Sequence, residues 1–443
     1  MDAIAGSPFL WLHFDEAGAL HDPSAAKRLA DAIAGDKVRH LVVISHGWNN
    51  DERNAADLYT GLWTNALQTL AQGGAKPEEF VVVGVLWPAK EYDADYDGAE
   101  ATEVRPQSGG GTKSVGDDPS IGDIGENSFQ EKLALLDGFV GPDAAEAIKA
   151  AARALDAGGG DQAAFDFFKT AREHLGVDEE TEDSELLEDR ENFKGTKTLF
   201  GADDAINALA MPPVFDVPAG TGGAKGLGNV VLATFQGTRS GVLWALNKLT
   251  YYTMKKRAGL VGRCLAQVLG ALRPPRTLKL HLVGHSFGAR LVTSAAANLA
   301  VPPNLEFQSL TLLQGAYSHN ALTGGNAVFA SALGKPRGAI VYTHTHNDKA
   351  CTIAYPLASR LSGDTSKSIG GADDPFGAMG ANGPQGLPAG ATVRADPAAL
   401  AFEKGKVNLV LADTFVVAAN GVDAHNNVAT PACGKVVAMA MTA

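Results

Sequence analysis

Ten residues carry the strongest chemical signal in this chain: Leu280-His281-Leu282-Val283-Gly284-His285-Ser286-Phe287-Gly288-Ala289. A serine with glycines two places to either side, between an apolar strand-forming run and a helix-forming run, is the pattern of a nucleophile held on a tight strand-to-helix turn. Gly284 and Gly288 leave room for close backbone approach, and the helix that starts after Ser286 offers positive potential to a developing oxyanion. Stripped of that context, the same five residues would be an accidental glycine-rich turn. A second signal, Ser45-His46-Gly47-Trp48-Asn49-Asn50, directly follows another apolar run. A main-chain N–H of Gly47 or Trp48, together with that of Phe287, makes a two-donor oxyanion hole. Asn49 and Asn50 add side-chain donors or start the next helix; in the competing reading His46 caps the strand and Trp48 packs in the core.

Three other groupings carry weaker chemistry. Asp93-Ala94-Asp95-Tyr96-Asp97-Gly98 matches the opening half of a calcium loop. Its twelfth position is Val104, with Glu103 one place early, so the expectation is a solvated acidic turn. His344, His346 and Asp348 alternate as metal ligands do, but they supply no complete set. Cys264, Cys351 and Cys433 are too few and too scattered for a disulfide framework or a four-ligand zinc site, and they read as core thiols. A Cys351–Cys433 bridge belongs only to an exported form. No metal or organic cofactor is required, and Asp93, Asp95 and Asp97 are the only calcium candidates.

The elements that must hold these residues alternate along the chain. Residues 9–14 form a short apolar and aromatic run, and 23–33 carry apolar residues at helical spacing. Buried strands are predicted at 40–45 and 80–86, with a long amphipathic helix at 54–71 between them. The rhythm resumes with helices at 240–256 and 261–272, a strand at 278–283, a helix at 289–299, and strands at 310–313 and 339–343. A helix at 351–361, a long Gly- and Pro-rich loop at 362–397, a last strand at 407–412 and a last helix at 432–441 complete the chain. Continuous apolar strands separated by helices imply an α/β fold with a mostly parallel, doubly wound sheet. Residues 92–228 break the rhythm and hold more than half of the chain's 50 acidic residues. They read as a large, mainly helical acidic insertion, with helices at 128–139, 144–155 and 162–175 and an acidic run at 178–191. The domains are therefore 1–91 with 229–443, interrupted once by a lid-like, cap-like or decorative region.

Composition excludes several classes. With 45% apolar residues, wholesale disorder is ruled out. A net charge of −13 repels phosphate backbones, so no nucleic-acid partner is expected. That charge sits mostly in the insertion; the remainder is mildly basic and can accept an acidic substrate group. No uncharged apolar run reaches the ~18 residues of a membrane span. The acidic start, Met1-Asp2-Ala3-Ile4-Ala5, lacks the basic and apolar segments of a signal peptide. A cytoplasmic location is the expectation, with an exported mature form the alternative.

The ten residues around Ser286 and the Ser45–Asn50 stretch resemble the serine esterases and lipases of the α/β-hydrolase superfamily. The resemblance covers roughly 38–90 and 240–443. It implies a triad in the chain order Ser, acid, His, with the acid after the second strand beyond the nucleophile and the histidine after the last strand. The acid falls on Asp348, which competes with a role as N-cap of the next helix and with Asp364 and Asp374 as alternatives. The base falls on His425, the one histidine after the last predicted strand. His281, His285, His344 and His346 are expected to pack or hydrogen-bond nearby. The implied activity is hydrolysis of a small-molecule or lipid-like carboxylic ester. An amidase, peptidase or thioesterase using the same triad, and a catalytically silent binding module, are the alternatives.

Overall fold

A computed structural model describes residues 2–89, 126–138, 142–157, 251–323, 327–354 and 377–443, with isolated positions between 163 and 174 and at 239 and 242. Nine strands form one sheet in the order β1-β2-β4-β3-β5-β6-β7-β9-β8. These are β1 (Asp2–Ile4), β2 (Ser7–His13), β3 (His40–Ser45), β4 (Phe80–Leu86), β5 (Leu278–His285), β6 (Leu305–Leu313), β7 (Ile340–His344), β8 (Thr392–Ala395) and β9 (Val407–Leu411). All pairings are parallel except that of β1 with β2. The chain is thus of the α/β class.

Central strands are largely apolar because both faces are covered. Along β3, Leu41 and Val43 enter one core, shared with helices α1 (Ser24–Ile33), α5 (Tyr251–Gly270) and α6 (Phe287–Asn298). Val42 and Ile44 enter the other, shared with α2 (Glu52–Gln72) and α8 (Pro431–Thr442). The alternation follows from the two-residue period of a strand. Asp51 starts α2 by accepting the Asn54 N–H at 2.9 Å, and Thr430 starts α8 by accepting that of Cys433 at 3.3 Å. Parallel strands place their C-terminal ends along one edge, so the loops after β3, β5, β7 and β9 gather there.

Several expectations need correction. The helices predicted at 240–256 and 261–272 join across Tyr251–Gly270 into one helix, α5. Gly259 and Gly262 do not break it, because they lie against Arg290 and Leu291 of α6 and tertiary packing carries the helix through. The predicted loop 362–397 contains a short helix, α7 (Met379–Asn382), and the edge strand β8. A four-residue edge strand, with Thr392 and Val393 half-buried, Arg394 exposed and Ala395 buried, is too short to leave a periodic trace. The N-terminal hairpin was also silent in the sequence; Ala5 (φ 51°) and Gly6 (φ 84°) close it, with Ile4 opposite Ser7. All three cysteines are free, which removes the Cys351–Cys433 bridge.

Within 92–228, α3 (Glu126–Ala134) and α4 (Pro142–Asp156) are helical as expected. Their buried Phe129, Leu133, Ile148, Ala152 and Leu155, and Leu136 of the turn after α3, belong to neither sheet core. The acidic run 178–191, the Asp93, Asp95 and Asp97 loop, and most of the 162–175 helix lie outside the described residues. Among the described residues, no helix is long and apolar enough to cross a membrane.

Candidate active site

Strand β5 ends at His285, and the chain turns at once into α6. Ser286 has φ 57° and ψ −124°, a conformation that costs a non-glycine residue about 1–3 kcal/mol. Three main-chain hydrogen bonds hold it there: Ser286 N–H donates to Leu313 O (3.1 Å), and Ser286 O accepts from Ala289 N–H (3.0 Å) and Ala316 N–H (3.2 Å). A Cβ at Gly288 would strike the carbonyls of Ser45 and His46, and one at Gly284 would strike the carbonyl of Gly288. The predicted close approach is therefore real, and it is made against the end of β3.

The loop after β3 lies directly on the serine. A Cβ at Gly47 would fall 2.5 Å from Ser286 Cβ and 3.0 Å from Oγ. The Gly47 carbonyl accepts from His46 Nδ1 (2.9 Å) and Asn50 Nδ2 (3.2 Å), and Asn50 Nδ2 also donates to Trp48 O (2.9 Å). Because a trans peptide sets its N–H opposite its C=O, the Trp48 N–H faces away from His46 and Asn50. The Trp48 and Phe287 rings lie 6.0 Å apart. His46 itself is fully buried, stacked on Trp87 at 5.5 Å, and its N–H donates to Tyr59 Oη at 2.8 Å. Burial pushes its pKa down to about 4, and it serves as a neutral brace of the loop.

Asp348 and His425, 77 residues apart, meet through a 2.7 Å hydrogen bond from His425 Nδ1 to Asp348 Oδ2. Both are buried. The two roles weighed for Asp348 coexist on different oxygens, since Oδ1 accepts the Cys351 N–H at 2.9 Å while Oδ2 faces the imidazole. The cap serves a short π-helical turn, Ala350–Ala354; the rest of the predicted 351–361 helix lies outside the described residues. Burial opposes charge on His425, yet the Asp348 carboxylate and its hydrogen bond outweigh it and raise the imidazole pKa. Burial likewise works against ionised Asp348, but the His425 charge and hydrogen bonds hold its pKa below the usual value. Such a pair keeps the imidazole in one tautomer, with Nε2 left to accept a proton.

His285 Nε2 donates to the His425 carbonyl at 2.8 Å, and the two rings lie 4.9 Å apart. Among the described residues, the hydrogen bonds of His425 run to Asp348, to His285 and to Cys351 Sγ, and none joins it to Ser286 Oγ. The other histidines take separate places. His281 is bonded to Ser309 Oγ (2.8 Å) and His40 (3.0 Å), five residues back along β5, so it is not a neighbour of the serine. His346 is tied to Asp413 at 2.8 Å, and buried His344 Nδ1 has no hydrogen-bond partner among the described residues. Asp364 and Asp374 lie outside the described residues.

Sequence inspection missed several supports. Gln314 accepts from Thr343 Oγ1 (2.8 Å) and turns its Nε2 toward Asp348 Oδ2 (3.4 Å). Asp413 braces the turn that delivers Asp348, accepting from Thr345 Oγ1 (2.6 Å) and His346 N–H (2.9 Å). Partial burial opposes its ionisation, but hydrogen bonds from Thr345 and His346 bring its pKa down to about 2. No local pattern marks either residue, because each acts across a fold-level contact. Cys351 Sγ lies 3.8 Å from His425 Nδ1, so Asp348, Cys351 and His425 form a compact donor group. The group suits a resident metal ion poorly, since His425 Nδ1 already bonds Asp348 and burial raises the Cys351 thiol well above its usual pKa.

The arrangement can activate a hydroxyl, hold a proton on a buried imidazole and present backbone N–H groups to an oxyanion. Comparison with protein-family models, curated proteins and solved structures finds no match for this chain.

Proposed function

We propose that this protein is a serine hydrolase of the α/β-hydrolase type that cleaves carboxylic esters through an acyl-enzyme. The observation that carries this reading is the buried 2.7 Å Asp348–His425 bond, gathered at the strand edge where Ser286 occupies its strained turn. In this reading the sheet is doubly wound, residues 1–91 and 229–443 make the catalytic domain, and 92–228 is an insertion.

Ser286 Oγ attacks the ester carbonyl carbon while His425 Nε2 takes its proton. The negative charge that forms on the carbonyl oxygen is met by N–H groups of Phe287 and the 47–48 loop. His425 then gives the proton to the leaving alkoxide, and an acyl-Ser286 ester remains. Water, deprotonated by the same imidazole, attacks that ester and releases the acid. Asp348 orients His425 and stabilises its charged form throughout. The Ser286–His425 hydrogen bond is made when substrate fills the site, as catalytic bonds in ligand-free enzymes are often open.

A panel of short and long aryl esters, run beside aryl amides and acyl thioesters, tests the reading. Ester turnover lost in Ser286→Ala, with rapid labelling of Ser286 by an organophosphonate that disappears in His425→Ala, is the expected result. Labelling without turnover on any class would point to a silent module, and faster amide or thioester cleavage would reassign the leaving group.

A further inference from the structure

His285 does more than fill the position before the nucleophile. Its Nε2–H donates to the carbonyl oxygen of His425 at 2.8 Å, and both residues are buried. A donor at Nε2 requires the tautomer with the proton on that nitrogen, so Nδ1 is a bare lone pair; it is buried without a hydrogen-bond partner among the described residues. The general base is consequently held at two points. Asp348 holds the ring at Nδ1, and His285 holds the main chain at the carbonyl. A ring fixed only at Nδ1 can swing about that bond and carry Nε2 off line; a second fixed point on the backbone removes that freedom. His285 is also covalently joined to Ser286, at the end of the strand that sets the serine turn. One peptide bond and one hydrogen bond thus separate nucleophile from base.

We propose that His285 is a positioning residue that keeps His425 in register with Ser286, through its hydrogen bond to the His425 carbonyl. The proposal rests on the triad reading above. Neutrality of His285 is part of the device: burial first, and then the charge of nearby His425, push its pKa down to about 3, so it adds no competing cation when His425 takes the serine proton.

The test compares His285→Leu, which removes the donor, with His285→Gln, whose amide N–H reaches a similar distance. On the preferred aryl ester, His285→Leu lowers kcat by about 10- to 100-fold with little change in KM, the loss expected of a base misplaced by about an ångström. It also changes the acid limb of the pH profile, and His285→Gln restores most of the rate. A merely structural role would lower melting temperature and expressed yield without altering the profile or being rescued by glutamine. Nitrogen-15 histidine NMR of the wild-type protein gives a readout independent of turnover: His285 should show the neutral Nε2–H tautomer from pH 7 down to about pH 4. Wild-type kcat and pH profile in His285→Leu, or a protonated His285 at pH 5, would overturn the proposal. A Ser286→Ala variant that retained ester turnover would instead remove the triad reading itself.

Discussion

Two pairs of stacked or neighbouring imidazoles belong to this fold, and of the four rings only His425 is pushed toward its charged form. At the C-terminal edge, His285 and His425 lie 4.9 Å apart, with Asp348 bonded to His425. Further back, His40 and His281 stack at 5.3 Å, with Nδ1 of His40 and Nε2 of His281 3.0 Å apart and the hydroxyl of Ser309 as the remaining partner. Burial pushes His40 down to about 4 and His281 well below its ordinary value. Burial acts on His425 at least as strongly, yet its pKa is raised. The difference is one carboxylate in hydrogen-bond reach of His425, where the other pair has a neutral hydroxyl and the Lys279 cation beside it. Desolvation alone makes an imidazole inert; a paired anion makes it a base.

The largest effect should come from erasing that difference. Asp348→Asn leaves His425 a neutral neighbour and should lower kcat by about 10⁴-fold, the known scale of losing the carboxylate behind a catalytic imidazole. Steady-state kinetics on the preferred ester measures it, and a loss under tenfold would detach Asp348 from the mechanism. The same variant should move the pH profile. If His425 is the base, wild-type kcat/KM should fall about tenfold per unit below its pKa, which burial lowers but the Asp348 carboxylate raises above the ordinary imidazole value. Without the carboxylate, desolvation acts unopposed and the acid limb shifts to lower pH. A limb that stayed in place would mean another group titrates there.

The inert pair should speak through stability. His40 is neutral in the fold at pH values where the unfolded chain is protonated, so the unfolded state binds more protons between about 4 and 6.5. Stability is therefore fully present above 6.5 and is lost as pH falls toward 4, by about 2 kcal/mol for His40 between pH 7 and pH 5. His281, His46 and His285 add loss of the same sign, whereas His425, with its raised pKa, contributes stability that is full below 6.5 and fades as pH rises. Urea melts of a His40→Phe, His281→Leu variant should show a shallower decline between pH 7 and pH 5; an unchanged slope would break the comparison.

The smallest effect concerns the thiol beside His425. Cys351→Ser should keep kcat within about twofold and cost about 1 kcal/mol of stability, because a protonated buried thiol packs without titrating. A loss of tenfold or more in kcat, measured alongside a denaturant melt, would place sulfur in the chemistry and unsettle the assignment of the contrast to the carboxylate alone.

Legibility followed the range of the interactions. Strands β3 and β4 match the predicted 40–45 and 80–86 because apolar runs buried on both faces are written locally. The Ser286 turn was readable for the same reason, as a strand, two spaced glycines and a helix start are contiguous. The edge strand β8 and the N-terminal hairpin were not, since each depends on a neighbour strand rather than on its own pattern. Asp348 and His425 were reached only through an ordering rule carried by resemblance, and Gln314 and Asp413 were not reached at all.

The amino-acid sequence by itself determined the strand–helix alternation, the serine turn and the glycines that make its close approach feasible, because these rest on periodicity and on backbone sterics within a few residues. Only the tertiary structure decided which buried histidine became basic. Pairing residues 77 apart at 2.7 Å, and excluding water from both, is a property of packed loops at a sheet edge, and burial and charge pairing act on an imidazole through space rather than along the chain.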